Sequence, residues 1–231
     1  MSRQGAVKPP LIVAIDGPSG AGKSTVARAL ASRLGLAYID TGAMYRAVGL
    51  AAREGGVALP IADPETVAQI AGAVRIELIP SAEGSRVLLD GKDVSEAIRE
   101  PEISLYASAV SAIPAVRRCL VEQQQRLGRE RGGIMEGRDI GTRVFPGAPF
   151  KFFLTAAPAV RARRRTMELA SRGTPQPYDA VLQEMEKRDR ADASRGDSPL
   201  TLDDRYVLVD TSDRPFEAVV SEIESRVREG I

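Results

Sequence analysis

The sequence predicts an α/β fold built on a parallel sheet, and three observations predict it. Residues 11–15, LIVAI, form a short, nearly unbroken apolar run that suits a strand buried on both faces. Residues 17–24 then spell G-x-x-x-x-G-K-S, and from Ser24 onward Val26, Ala27, Leu30, Ala31 and Leu34 recur at helical spacing. Further short apolar runs alternate with helical stretches toward the C-terminus, the progression expected of βαβ units.

Strand, glycine loop and helix in that order make a P-loop, and each residue type has a physical task in it. Gly17, Gly20 and Gly22 allow backbone angles and close approach that a Cβ would block, so that backbone N–H groups can turn inward around a phosphate. The helix opening near Lys23 adds its positive end. Lys23 can reach the outer phosphates, and the Ser24 hydroxyl can ligate a magnesium ion that otherwise keeps water and phosphate oxygens. Gly17, Pro18, Ser19, Gly20, Ala21, Gly22, Lys23, Ser24 and Thr25 are therefore the candidate residues for a nucleoside triphosphate. A glycine-rich turn can match this pattern by chance, but the preceding strand and the following helix supply the required context.

The chain of 231 residues can bury a substantial core, and 43% hydrophobic with 27% charged residues is the balance of an ordinary globular protein. Lys plus Arg number 32 against 31 Asp plus Glu, which gives no sign of a dedicated nucleic-acid or membrane binder. Cys119 is the sole cysteine, so no intramolecular disulfide can form. The first ten residues lack an apolar signal-like core and no run of 18 apolar residues occurs, so a soluble cytoplasmic protein is expected. Histidine is absent, which removes Ser-His-Asp and Cys-His catalysis and the common imidazole zinc sites. Chemistry must rest on Arg, Lys, carboxylates, hydroxyls, backbone and bound metal.

Taken in order, Gly35 reads as a helix C-cap and residues 36–39 as a second strand. Asp40-Thr41-Gly42 is a turn-and-cap signature opening a helix over residues 43–54, with Met44, Ala47, Val48 and Ala51 on its apolar side and Arg46 off it. Its place near the C-terminal end of a strand favours a site role for Arg46 over that of a solvated charge. Asp63-Pro64-Glu65 starts a helix reaching residue 73. The period then changes: Val74, Ile76 and Leu78, and Val87, Leu88 and Leu89, flank a turn-rich 80–84, a β-hairpin, with Asp90-Gly91-Lys92 as a further turn. A hairpin interrupts a parallel progression, so residues 63–100 read as an inserted subdomain.

Two helices follow, over residues 102–112 and 115–130, the second with Val116, Leu120, Gln123 and Leu127 as an amphipathic stripe. Residues 134–136 form a strand whose end delivers Gly137-Arg138-Asp139-Ile140-Gly141. A surface salt bridge would account for the Arg-Asp pair but not for the bracketing glycines. A strand over 151–154 and helices over 158–171 and 179–193 come next. From residue 158 to residue 195, nine Lys/Arg stand against six Asp/Glu. Such a run is either a solvated charged face or a lid that closes on phosphates. A strand over 206–209 and an amphipathic helix over 215–228 complete a single domain.

DTGAMYR at 40–46, GRDIGTRVFPGAP at 137–149 and RDRADASR at 188–195 together resemble the P-loop nucleoside monophosphate kinases and, among them, the bacterial cytidylate kinase family, over nearly the whole chain. The resemblance implies a P-loop NTPase core with helices on both faces, a monophosphate-binding insert at 63–100 and a helical lid at 158–195. It implies transfer of the γ-phosphoryl group of ATP to CMP or dCMP with magnesium, by a monomer. Arg46, Arg138 and Arg195 would hold the acceptor phosphate. Ser108, Arg117 and Asp139 would read cytosine, Thr41 would lie beside the nucleotide, and Arg188 and Asp192 would contact the sugar. Arg161 and Arg165 would be the lid cations that, with Lys23 and Arg138, act in catalysis. Glu136 is a candidate to assist magnesium through water or to serve structure alone.

Overall fold

The computed structural model describes residues 10–81 and 84–231. Five parallel strands form the central sheet in the order β2 (Tyr38–Asp40), β6 (Gly133–Gly137), β1 (Ile12–Asp16), β7 (Phe150–Thr155), β8 (Val207–Asp210). β1 pairs on both edges, with β6 and with β7. This central position explains its continuous apolar run.

Alternation along β1 sends its side chains to two separate cores. Ile12 and Ala14 join the cluster under α2 (Thr41–Glu54), α4 (Pro101–Ser111) and α5 (Pro114–Arg131). Val13 and Ile15 join the cluster on the opposite face, under α1 (Lys23–Leu34) and α8 (Phe216–Glu229). Helices therefore cover both faces of the sheet. Gly35 closes α1 in the left-handed conformation, and Asp40 caps α2 by accepting from the Ala43 N–H at 2.9 Å.

Between α2 and α4 stand α3 (Pro64–Ala73), capped by Asp63, and a three-stranded antiparallel sheet of β3 (Ile76–Ser81), β4 (Gly84–Leu89) and β5 (Lys92–Asp93). The hairpin expected here has an additional strand. Lys92, read from sequence as part of a turn, pairs with Leu89, and the turn is confined to Asp90 and Gly91, both with positive φ. Ala82 and Glu83 of the expected hairpin tip lie outside the described residues, as does the N-terminal tail. Val67, Ile76, Val87 and Ile98 share one continuous core with Met44, Ile103 and Leu120, so this region is packed into the larger of the two cores.

Two details differ from the sequence reading, and a third adds to it. On α5 the inward positions are Val116, Leu120, Gln124 and Gly128, with Gln123 and Leu127 only partly buried, because Gly128 gives room for the Phe145 ring. After β6 the chain makes a π-helical turn over Ile140–Val144 that no local periodicity marks. Finally, α6 (Pro158–Ser171) and α7 (Tyr178–Ser194) pair around a small core of their own, Ala162, Leu169, Val181 and Met185.

Candidate active site

Strands β2, β6 and β1 end side by side, with Asp16 opposite Gly137 and Asp40 opposite Glu136. Their C-terminal ends open onto a cavity of about 900 Å³. Open α/β sheets bind ligands at this edge, where successive loops diverge.

The floor is the glycine loop between β1 and α1. Gly20 has φ +75°, and a Cβ there would stand 2.8 Å from Met185 Cε, so glycine lets the loop pass under α7. Lys23 is buried and its Nζ donates to the Pro18 carbonyl at 2.7 Å. Burial, reinforced by Arg138, holds its ammonium well below the usual lysine range, against the pull of Glu136 and Asp16. Ser24 Oγ donates to Glu136 Oε2 at 2.9 Å, and Tyr38 donates its hydroxyl to Glu136 Oε1. Burial and then Asp40 raise the Glu136 carboxyl above its ordinary value. Thr41 Oγ1 donates to the Glu136 carbonyl at 2.7 Å.

Arginines gather in the same cavity. Arg46 Nη2 pairs with Asp40 at 2.8 Å, and Arg138 Nε pairs with Asp192 Oδ2 at 2.9 Å. Arg195 pairs with the other oxygen of the same Asp192. Arg188 is crowded by Arg138, and burial with that repulsion lowers its guanidinium to about 10. Its Nε, like that of Arg46, is buried without a hydrogen-bond partner among the described residues. Asp192 is held below the usual carboxylate range by Arg138, Arg195 and Arg188, which outweigh its burial. Among the described residues, eleven Lys/Arg and seven Asp/Glu line the cavity, an excess of positive charge that suits polyanions.

Deeper in, Arg117 Nη2 and Asp139 Oδ2 meet at 2.5 Å, both nearly sealed from solvent, with the Arg117 guanidinium 5.4 Å from the Tyr45 ring centre. Arg138 and Asp139, adjacent in sequence, thus have separate partners on different elements rather than forming one surface pair.

Most of the sequence-derived site residues line this one cavity: Ser19, Gly20, Gly22, Lys23, Ser24, Thr25, Thr41, Arg46, Arg117, Arg138, Asp139, Arg165, Arg188, Asp192 and Arg195. Gly17, Pro18 and Ala21 of the loop are outside the cavity lining, as is the half-buried Ser108, whose helix does supply Ser104 and Ser111 to it. Arg161, on α6, is buried. It pairs with Asp189 at 2.7 Å and donates to the Ser19 and Ala156 carbonyls at 3.1 and 2.9 Å, outside the cavity lining.

Arg164, not singled out from sequence, does line the cavity and donates to Thr211. Asp16, Tyr38 and Tyr45, to which no sequence motif assigns a role, also belong to the site's surroundings. An aspartate closing an otherwise apolar strand is the one local signal that could have flagged any of them.

Among the described residues no helix is long and apolar enough to cross a membrane. A family model described as "Cytidylate kinase" matches residues 13–229. A cytidylate kinase from Caldanaerobacter subterraneus subsp. tengcongensis is 49% identical over 216 residues, covering 94% of this chain and 94% of the relative. One from Pelotomaculum thermopropionicum is 49% identical over 219 residues, covering 94% and 96%. One from Caldicellulosiruptor bescii is 44% identical over 211 residues, covering 91% and 92%.

Proposed function

The chain belongs to the cytidylate kinase family, and from that premise we propose that it transfers the γ-phosphoryl group of ATP to CMP or dCMP, giving ADP with CDP or dCDP. One observation carries the reading: Lys23 on the glycine loop and Arg46, Arg138, Arg188 and Arg195 from other elements line a single cavity. Two anions must be brought together for this reaction, and a cavity lined by this many cations supports their approach.

A phosphate oxygen of CMP attacks the γ-phosphorus as the bond from that phosphorus to the β,γ-bridging oxygen breaks, and ADP leaves. The attacking oxygen is already ionised, so no strong general base is needed and the lack of histidine is no obstacle. Lys23 and the lid arginines Arg164 and Arg165 would meet charge that develops on the transferred group, while Arg46, Arg138 and Arg195 would hold the acceptor phosphate. Arg188 and Asp192 would take the sugar. Asp139 would accept from the cytosine amino group and Arg117 donate to the ring. A uracil would set a carbonyl against that carboxylate, at a cost of about 1–3 kcal/mol.

Magnesium fits the donor set. Ser24 Oγ and the Glu136 carboxylate behind it are hard oxygens, and among the described residues no group of three metal-ligating side chains competes for the ion. When bound, the ion would neutralise charge on the β- and γ-phosphates. Ser24 would hold it directly and Glu136 through water. All of these residues lie on one chain, so a monomer suffices, with residues 63–100 as the acceptor-side insert and 158–195 as the lid.

The test is coupled ADP release with ATP, magnesium and each of CMP, dCMP, UMP and AMP. Turnover with CMP and dCMP, weak turnover with UMP and little with AMP are expected. Equal rates with all four, or ADP release with none, would refute the reading.

A further inference from the structure

Asp16 ends the central strand as the last residue before the glycine loop and is wholly buried. A carboxylate in such a place needs donors, and it has three. The Ile140 N–H reaches Oδ1 at 2.9 Å, the Gly141 N–H reaches Oδ2 at 2.9 Å, and the Tyr206 hydroxyl reaches Oδ2 at 2.6 Å. The two amides open the π-helical turn over Ile140–Val144, whose internal bonds begin only with later N–H groups, so the turn itself offers them no acceptor. Approach is tight: a Cβ on Gly141 would stand 2.6 Å from Tyr206 Oη.

The same turn begins directly after Arg138 and Asp139. Tyr206 stands beyond α7 and rests edge-to-face on Phe153 with ring centres 6.0 Å apart. One carboxylate therefore joins the end of β1, the turn that carries two acceptor-side residues, and the segment that descends from the lid.

We propose that Asp16 is a positioning residue for the acceptor nucleotide, holding the Arg138-Asp139 turn in register with the glycine loop and tying it through Tyr206 to the segment behind the lid. It touches no substrate. Its effect passes through backbone amides, which fix where Arg138 and Asp139 emerge from β6. A neutral side chain of the same shape cannot reproduce this: an Asn amide that accepts on one side presents N–H groups to an N–H donor on the other. The proposal rests on the kinase reading above, and wild-type turnover of CMP tests that reading separately.

Steady-state kinetics with ATP and CMP on wild type, Asp16→Asn and Tyr206→Phe decide it. Asp16→Asn should raise KM for CMP about tenfold, the scale of one buried donor left unpaired, with KM for ATP within about twofold, because a lost positioning contact acts on one substrate. Tyr206→Phe keeps the ring contact with Phe153 and both amide bonds, and should raise KM for CMP by a smaller factor in the same direction. If both variants fold with reduced thermal stability while both KM values stay at wild type, or if both KM values rise together, Asp16 is structural only and the proposal fails. Should Asp16→Asn not fold, Tyr206→Phe decides alone, and an unchanged KM for CMP overturns the proposal. Absence of CMP turnover by wild type would instead overturn the kinase reading.

Discussion

Arg117 and Asp139 face each other at 2.5 Å, donated by two different elements, with 3% and 5% of their side chains exposed. A pair sealed to this degree cannot shed one partner to solvent. If this pair reads cytosine as proposed, base selection and fold stability are linked in it. Asp139→Ala should lower unfolding free energy by about 3–5 kcal/mol, because it leaves the Arg117 charge buried and uncompensated. It should also shrink the ratio of kcat/KM for CMP over UMP. Denaturant titration checks the first outcome and paired steady-state rates the second; an unchanged ratio would count against Asp139 as the base reader.

Lys23 sits under the glycine loop with its Nζ parked on the Pro18 carbonyl. Replacing it with alanine should lower kcat by roughly 10² to 10³, about 3–4 kcal/mol of transition-state stabilisation. Wild-type turnover by Lys23→Ala would remove it from the mechanism.

The α6 arginines Arg161 and Arg165 separate by burial. Arg161 binds two backbone carbonyls and Asp189 away from the cavity, whereas Arg165 lines the cavity and pairs with the partly exposed Glu168 at 2.9 Å. Arg161→Ala should cost about 1–3 kcal/mol of stability. Arg165→Ala should leave stability within about 0.5 kcal/mol, since a surface pair contributes little, while lowering kcat. Thermal melts beside initial rates distinguish them, and a stable but inactive Arg161→Ala would restore Arg161 to the catalytic group.

Asp16 should leave a signature in the dependence of stability on pH. Burial, partly opposed by its three donors, raises its carboxyl from 3.8 to about 6. Asp139, Tyr206, Lys23 and Lys151 are the ionisable groups that share electrostatic contact with it. The folded state holds this proton more tightly than the unfolded chain, so the stability contribution is full below about pH 4 and is lost as pH rises through about 6. Between pH 5 and 7.5, wild type should lose roughly 1–2 kcal/mol relative to Asp16→Asn. Urea unfolding of both proteins at the two pH values measures it, and a difference of opposite sign would contradict the assignment.

The sequence by itself determined what depends on near neighbours along the chain. Apolar runs and the 3.6 period marked most of the elements to within a few residues, Asp40 and Gly35 announced helix ends, and the glycine loop with Lys23 and Ser24 announced a phosphate site, because caps, turns and loops are decided by residues a few positions apart. Lys92 escaped, since a two-residue strand has no period to read. Only the tertiary structure decided which residues meet across the molecule. It seated Gln124 rather than Gln123 inward on α5, left Ser108 outside the cavity lining, buried Arg161 and put Arg164 in that lining. It also joined Glu136 to Ser24 over 112 positions and Asp16 to Tyr206 over 190. Strand order and helix rotation settle such contacts by minimising voids and unpaired buried polar groups over the whole core at once, and no local spacing carries that information.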